Sequence, residues 1–344
     1  MPRGLQFAVL ALAALTLAAA SDAARGRTIE TTPARVQGIG LEGGRLFWVL
    51  DRCTDVLTRP LATGGPRLLG NAAVMDCDYN DSPDVAFARG RALWVAEGSG
   101  NFVYANVLTA ASGERPKLLE EVVGASRGGD GDYLTGVAGR ESTIVYAVVS
   151  ISMLDTCIDP GTPCEHSIDS SRVMRVVARR ALRVPGVPPA LRITAGGGRI
   201  AVDVASGYDG QSLVRAGRVE VRDAGTGRRS AVVLLAGNVL ELALSGDVLA
   251  VLVRIGGRKA IERYAPRGGR LLGRTPVYGN AHALAVSGRR VVFVTGRTIR
   301  QISPAGAGIV AVASRPVAAL AVEGRRLVWA ENDARRGRIV LAAL

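Results

Sequence analysis

Between positions 75 and 84 the chain reads MDCDYNDSPD. Asp76, Asp78 and Asn80 alternate along it, the D-x-D-x-N spacing with which calcium loops wrap successive oxygens around a hard cation. An EF-hand does not follow. Asp81 stands where the turn glycine is needed, and Phe87 where the bidentate glutamate belongs. The expectation is a calcium site of another kind, built on Asp76, Asp78, Asn80 and Asp81, set against the plainer reading of a solvated polar turn. Further on, GGDGDY brings Asp130 and Asp132 next to Tyr133. Carboxylates beside tyrosines suit sugars or cationic ligands, so Asp130, Asp132, Tyr133, Tyr79 and Glu97 are candidate ligand contacts. The glycine-rich GGDGD and AGGGR lack the lysine and following helix of a phosphate loop. The sequence therefore presents binding groups and no recognisable catalytic constellation.

The elements that must hold these groups recur. GIGLEGGRLFWVLD (38–51), DVAFARGRALWVAEG (84–98), LTGVAGRESTIVYAVVS (134–150), LRITAGGGRIAVDVAS (191–206), LELALSGDVLAVLVRI (240–255), HALAVSGRRVVFVTG (282–296) and AALAVEGRRLVWAEN (318–332) share one pattern. Each has an apolar strand, a glycine turn and a second apolar strand. The turn glycines are Gly44, Gly90, Gly139, Gly198, Gly246, Gly288 and Gly324, with Arg next in all but the fifth. Trp48, Trp94, Tyr146, Phe293 and Trp329 fill one position of the second strand. The glycines lie about 47 residues apart on average, close to the length of a four-stranded blade. Weaker hairpins with turns at ATGG (62–65), ASGER (111–115), AGTGRR (224–229), APRGGR (265–270) and SPAGAG (303–308) supply the other two strands. The expected fold is all-β, a β-propeller of seven blades, with six as the alternative. The final unit lacks a fourth strand, and RTIETT (27–32) can supply it, closing the ring and removing the exposed edge.

The copies LFWVL, ALWVA and LVWAE after a Gly-Arg turn resemble blades of the secreted bacterial propellers grouped as TolB-like, YWTD-like and NHL-like. The resemblance covers nearly the whole chain after its first residues. It implies a ligand-binding end and no particular activity. Propeller lactonases resemble this chain in using Asn, Asp and Glu around a channel calcium, a likeness of residue type alone.

Arg3 followed by the apolar run Leu5–Ala20 and small residues to Ala23 reads as a cleaved export signal over 1–23, leaving one domain over 24–344. Export to the periplasm, cell surface or medium is expected. In that compartment Cys53, Cys77, Cys157 and Cys164, with no C-x-x-C spacing, favour disulfides. The propeller map sorts the loops onto two ends. Cys53 and Cys77 fall on neighbouring loops of one end, called the top, and Cys157 and Cys164 on one long loop, so the expected pairs are Cys53–Cys77 and Cys157–Cys164. Acidic residues gather at the top near the first three blades. Arginines at the turns make the bottom basic, in a chain of formal charge +13. Such a charge attracts anionic envelope polymers weakly. It lacks the interleaved aromatics of a specific nucleic-acid surface. Asn280 and His282 are expected at the channel mouth as ligand contacts; the plainer reading of His282 is a hydrogen-bonded structural residue. The expected function is an extracellular, non-enzymatic binding propeller, with calcium as its only candidate cofactor and a protein, sugar or cationic ligand as partner. A metal-dependent hydrolase or lyase of lactonase type is the alternative.

Overall fold

The computed structural model describes residues 26–50, 55–71, 85–98, 102–125, 130–153, 166–209, 212–303 and 306–344. These residues form strands and turns, with no helix among them. After β1 (Arg27–Thr32), β2 (Val36–Glu42), β3 (Arg45–Leu50), β4 (Asp55–Pro60) and β5 (Arg67–Asn71) make a four-stranded antiparallel sheet in chain order. Then come β6 (Val85–Ala88), β7 (Arg91–Gly98), β8 (Phe102–Ala111) and β9 (Lys117–Ala125). The next four are β10 (Gly131–Arg140), β11 (Thr143–Met153), β12 (His166–Val177) and β13 (Arg180–Val184). These eight share one sheet, but β9 meets β10 at a single pair, Gly124 with Gly131. Further four-stranded sheets follow. One holds β14 (Ala190–Gly196), β15 (Arg199–Tyr208), β16 (Leu213–Asp223) and β17 (Arg229–Leu234). Another holds β18 (Asn238–Leu244), β19 (Leu249–Ile255), β20 (Arg258–Tyr264) and β21 (Leu271–Val277). A third holds β22 (Ala281–Ser287), β23 (Arg290–Thr295), β24 (Thr298–Ser303) and β25 (Gly306–Val312). In the last, β26 (Val317–Glu323), β27 (Arg326–Asn332) and β28 (Gly337–Ala343) are completed by β1, which pairs antiparallel with β28.

Every repeated hairpin read from the sequence is a first and second strand here. The second strands are apolar on both faces because each sheet is stacked between two others. Trp48, Trp94, Tyr146 and Trp329 are all at most 1% exposed. The first strands contact one another in a closed circuit: β2 with β6, β6 with β10, β10 with β14, β14 with β18, β18 with β22, β22 with β26, and β26 with β2. Two turns depart from the sequence reading. In the third copy the turn is at Glu141, not at Gly139, and Glu141 takes φ +54°. Gly139 serves close approach instead: a Cβ there would lie 2.8 Å from Ile144 and 3.0 Å from the backbone of Phe87. The hairpin β12–β13 turns at Ala178, φ +52°, without any glycine to announce it.

Side chains at the ends of first strands latch the turn of the next sheet. Glu323 accepts hydrogen bonds from the backbone N–H of Gly43 (2.5 Å) and Gly44 (3.2 Å), and Glu42 accepts one from Arg89. Ser245 Oγ donates to the Gly288 carbonyl, and Ser287 Oγ accepts from the Gly324 N–H. At the seam between the chain's two ends, Asn332 accepts from the N–H of Val36 and donates to its carbonyl, at 2.9 and 2.8 Å. Arg59 reaches Glu30 of β1 at 2.7 Å. These contacts use short polar side chains to satisfy turn backbone that no sheet ladder reaches.

Candidate functional site

The circuit of first strands encloses a cavity of about 310 Å³. Its lining includes Ile39, Val85, Val137, Ile193, Leu242, Leu284 and Leu320. Ile39, Val85, Val137 and Leu320 pair directly with Trp48, Trp94, Tyr146 and Trp329. The channel wall is thus an apolar collar one strand inside the aromatic repeat. Charge enters at the turn end. Arg140 spans from β10 to the Val322 carbonyl of β26 at 2.5 Å, while its Nε and Glu42 Oε2 are buried without hydrogen-bond partners. Burial pushes the Arg140 guanidinium down, against the pull of Glu141, Glu42 and Glu323. Burial, reinforced by Glu323 and Glu141, pushes the Glu42 carboxyl up to about 7 against the opposing effect of the Arg89 N–H and Arg140. This end was expected to be basic, with arginines at its turns. It is a mixed cluster instead, and Arg91 is likewise neutralised, by Glu114 at 2.8 Å.

Of the residues expected to hold calcium or a ligand, Asp76, Asp78, Tyr79, Asn80 and Asp81 lie outside the described residues, as do Cys53, Cys77, Cys157 and Cys164. Glu97 sits in β7 opposite Ala105, its side chain outside the description. Asp130 is exposed beside the start of β10. Asp132 faces β11 and β12: it accepts from Ser150 Oγ at 2.5 Å and from Arg172 at 2.6 Å. Burial alone would raise its carboxyl, but these two partners hold it below the usual range. Tyr133 lays its ring against Gly124 of β9. Asn280 accepts from Lys259 Nζ at 3.2 Å. His282 places Nδ1 3.0 Å from the Asn280 carbonyl and Nε2 3.0 Å from the Val317 carbonyl, joining two sheets. The structure thus gives His282 two backbone partners and brings Asn280 to the edge of a different feature, a groove. Glu331 of β27 is 1% exposed and bound by Trp329 Nε1, Ser314 and Arg338.

Two grooves open between groups of strands. The first, about 480 Å³, runs between β9 and the sheet of β11–β13, with Tyr146 of β11 and Arg172 of β12 in its wall. Arg172 is held by Glu120 at 2.5 Å and by Asp132, and Tyr146 donates to Glu120 at 2.6 Å. The second, about 350 Å³, runs between β21 and β23–β25, with Phe293 of β23 and Arg300 of β24 in its wall; Arg300 pairs with Phe293 itself, whereas Tyr146 pairs with Met174 and Arg172 lies two residues away. Thr275, Pro276, Val277 and Tyr278 form its other wall. Pro276 and Tyr278 also border an adjoining hollow of about 720 Å³ with Arg258, Lys259 and Arg274. Tyr278 is 84% exposed, more than any other large apolar or aromatic residue described.

No protein-family model matches the chain, and no curated protein matches it in sequence. Solved structures do match in fold. The β-propeller domain of the trilobed protease from Pyrococcus furiosus is 8% identical with a TM-score of 0.55, over 90% of this chain and 93% of that one. The WD40 domain of Pan2 from Neurospora crassa is 10% identical with a TM-score of 0.51, over 94% and 96%. A third match, BBS1N in complex with ARL6DN, is 12% identical with a TM-score of 0.50, over 93% and 97%. The fold is a β-propeller. At such identities the likeness is one of architecture alone. In propeller terms each four-stranded sheet is a blade; the second groove is a cleft between two of them, and the first opens across the single β9–β10 pair of the eight-stranded sheet. Sequence reading missed the second cleft because its two walls come from segments about 15 to 30 positions apart. One signal was present: PVYGN (276–280) puts an aromatic in an inter-blade loop of a chain with 4% aromatics.

Proposed function

We propose that this chain is a non-enzymatic, protein-binding β-propeller that works outside the cytoplasm. The observation that carries the reading is Tyr278, 84% exposed between two hollows. An aromatic held in solvent beside a concave, mixed surface is the usual anchor of a protein interface. The described carboxylates near the channel support binding over channel-centred hydrolysis. Glu241 accepts from the backbone of Ala283 and Leu284, Glu323 from the β2–β3 turn, and Asp132 from Ser150 and Arg172. Dividing the eight-stranded sheet at its single β9–β10 pair gives seven blades, the count adopted here. The Arg3 and Leu5–Ala20 pattern supports export. Calcium bound by Asp76, Asp78, Asn80 and Asp81 belongs to the same proposal. Added calcium then raises the Tm of EDTA-treated protein, and Asp78→Ala abolishes the rise.

The test of the binding reading is a photo-crosslinking amino acid at position 278 in the source cells, with position 289 on the opposite end as control. A discrete adduct at 278 and none at 289 supports it. Absence of any adduct at 278, together with full activity of the reporter at a known interface, overturns it.

A further inference from the structure

We infer that the cleft around Tyr278 takes an extended acidic segment of a partner protein; this rests on the protein-binding reading above. The argument starts from charge. Arg258, Lys259 and Arg274 border one side of Tyr278, and Arg300 the other. Among the described residues Arg258 has no hydrogen-bond or ion-pair partner, and Lys259 has only the neutral Asn280. Arg300 is held by Thr295 Oγ1 at 3.2 Å and the Ala307 carbonyl at 3.4 Å, both neutral. It therefore keeps its full charge and three of its five N–H donors. Among the described residues only Arg274 of this set has an ion pair, with Glu262 at 3.5 Å, and Glu262 also serves Tyr264. The cleft is a set of positive charges with one counter-ion.

The shape narrows the partner. Tyr278, Pro276 and Phe293 give an apolar wall for one aliphatic or aromatic side chain. Pro276 has no N–H, so the outer strand β21 cannot extend its ladder to an added strand at this end, and recognition falls to side chains. Guanidinium groups pair with carboxylates in a planar fork, which suits glutamate and aspartate flanking the apolar anchor. A single-stranded nucleic acid needs a succession of stacking platforms, and here one tyrosine stands alone.

The test is fluorescence anisotropy of a labelled glutamate-rich decapeptide with a central leucine, titrated with the full chain. Binding is expected, with affinity falling about tenfold in Tyr278→Ala and about tenfold or more in Arg258→Glu with Lys259→Glu. Arg180→Glu, in the cleft beside β13, is expected to leave it unchanged. Circular dichroism and Tm confirm that each variant folds. Equal losses in Arg180→Glu would show diffuse attraction to a chain of charge +13 and overturn the proposal. Tighter binding of a single-stranded oligonucleotide of matched charge, lost in the same variants, would overturn the partner class. A discrete crosslinked protein at position 278 that the decapeptide fails to displace would sink the acidic-segment inference alone. Absence of that crosslink would sink the reading beneath it.

Discussion

The two clefts share a scaffold and differ in electrostatics. Each has the repeat's aromatic in its wall, Tyr146 or Phe293, and an arginine from the third strand, Arg172 or Arg300. In the cleft beside β13, Glu120 gathers both Arg172 and the Tyr146 hydroxyl, and Asp132 completes the set. Burial, then Glu120, pushes the Tyr146 hydroxyl up, which keeps it a donor. In the cleft beside β25 Arg300 meets only a hydroxyl and a carbonyl. The difference teaches that a propeller can close one cleft with an internal ion network and leave its twin charged and open. The proposed binding function uses the second.

The largest expected effect tests what the clefts share. Tyr146 and Phe293 are 0% and 2% exposed, so Tyr146→Ala and Phe293→Ala are each expected to cost about 3–5 kcal/mol in urea unfolding. A loss below about 1 kcal/mol at either would show that the two floors are not equivalent. Next comes what they do not share. Glu120→Ala strips Arg172 and Tyr146 of a charged partner and is expected to cost about 2 kcal/mol, whereas Thr295→Ala beside Arg300 costs about 1 kcal/mol or less. Equal costs would erase the distinction between a closed and an open cleft. The pH dependence separates them again. Asp132 is held below its ordinary range in the folded state, so its contribution is present above the unfolded value near 3.8 and is lost as pH falls through the lower folded value. Arg172→Met is expected to flatten the acid limb of the Tm profile, and Arg300→Met to leave it unchanged.

How far the sequence carried this picture depends on the range of the interaction. The first two strands of each blade were legible, because an apolar run, a turn and an aromatic lie within about fifteen residues of one another. The completion of the last sheet by RTIETT was legible for a different reason: a β-prone segment without its own partner matched a sheet short of one strand. The β12–β13 turn was not, because Ala178 adopts a left-handed conformation that glycine would have advertised. Charge was read least well. Arg140 and Glu331 look like solvated loop charges in the sequence, yet one crosses the channel and the other is buried among three donors. A count of charged residues per loop carries no information on which charges the neighbouring blade has already neutralised. For the same reason Arg258 and Arg300 drew no notice in the sequence.

The channel end offers a third arginine with acids around it, and there burial is the largest influence on the carboxyl of Glu42. Glu120 touches Arg172; Glu42 lies near Arg140 without an ion pair and has an oxygen buried without a partner. Its carboxyl rises to about 7 from an ordinary 4.5. A raised carboxyl binds its proton more tightly folded than unfolded. Stability contributed by that proton is present below about 4.5 and is lost as pH rises toward about 7. Glu42→Gln is isosteric and keeps an acceptor for the Arg89 N–H. It is expected to leave Tm unchanged at pH 4 and to stabilise the protein at pH 8 by about 1 kcal/mol, solvent at the channel mouth screening the rest. Destabilisation at pH 8 would mean that the ionised carboxylate is held by Arg140 after all, and the channel end would then resemble the closed cleft rather than stand apart from it.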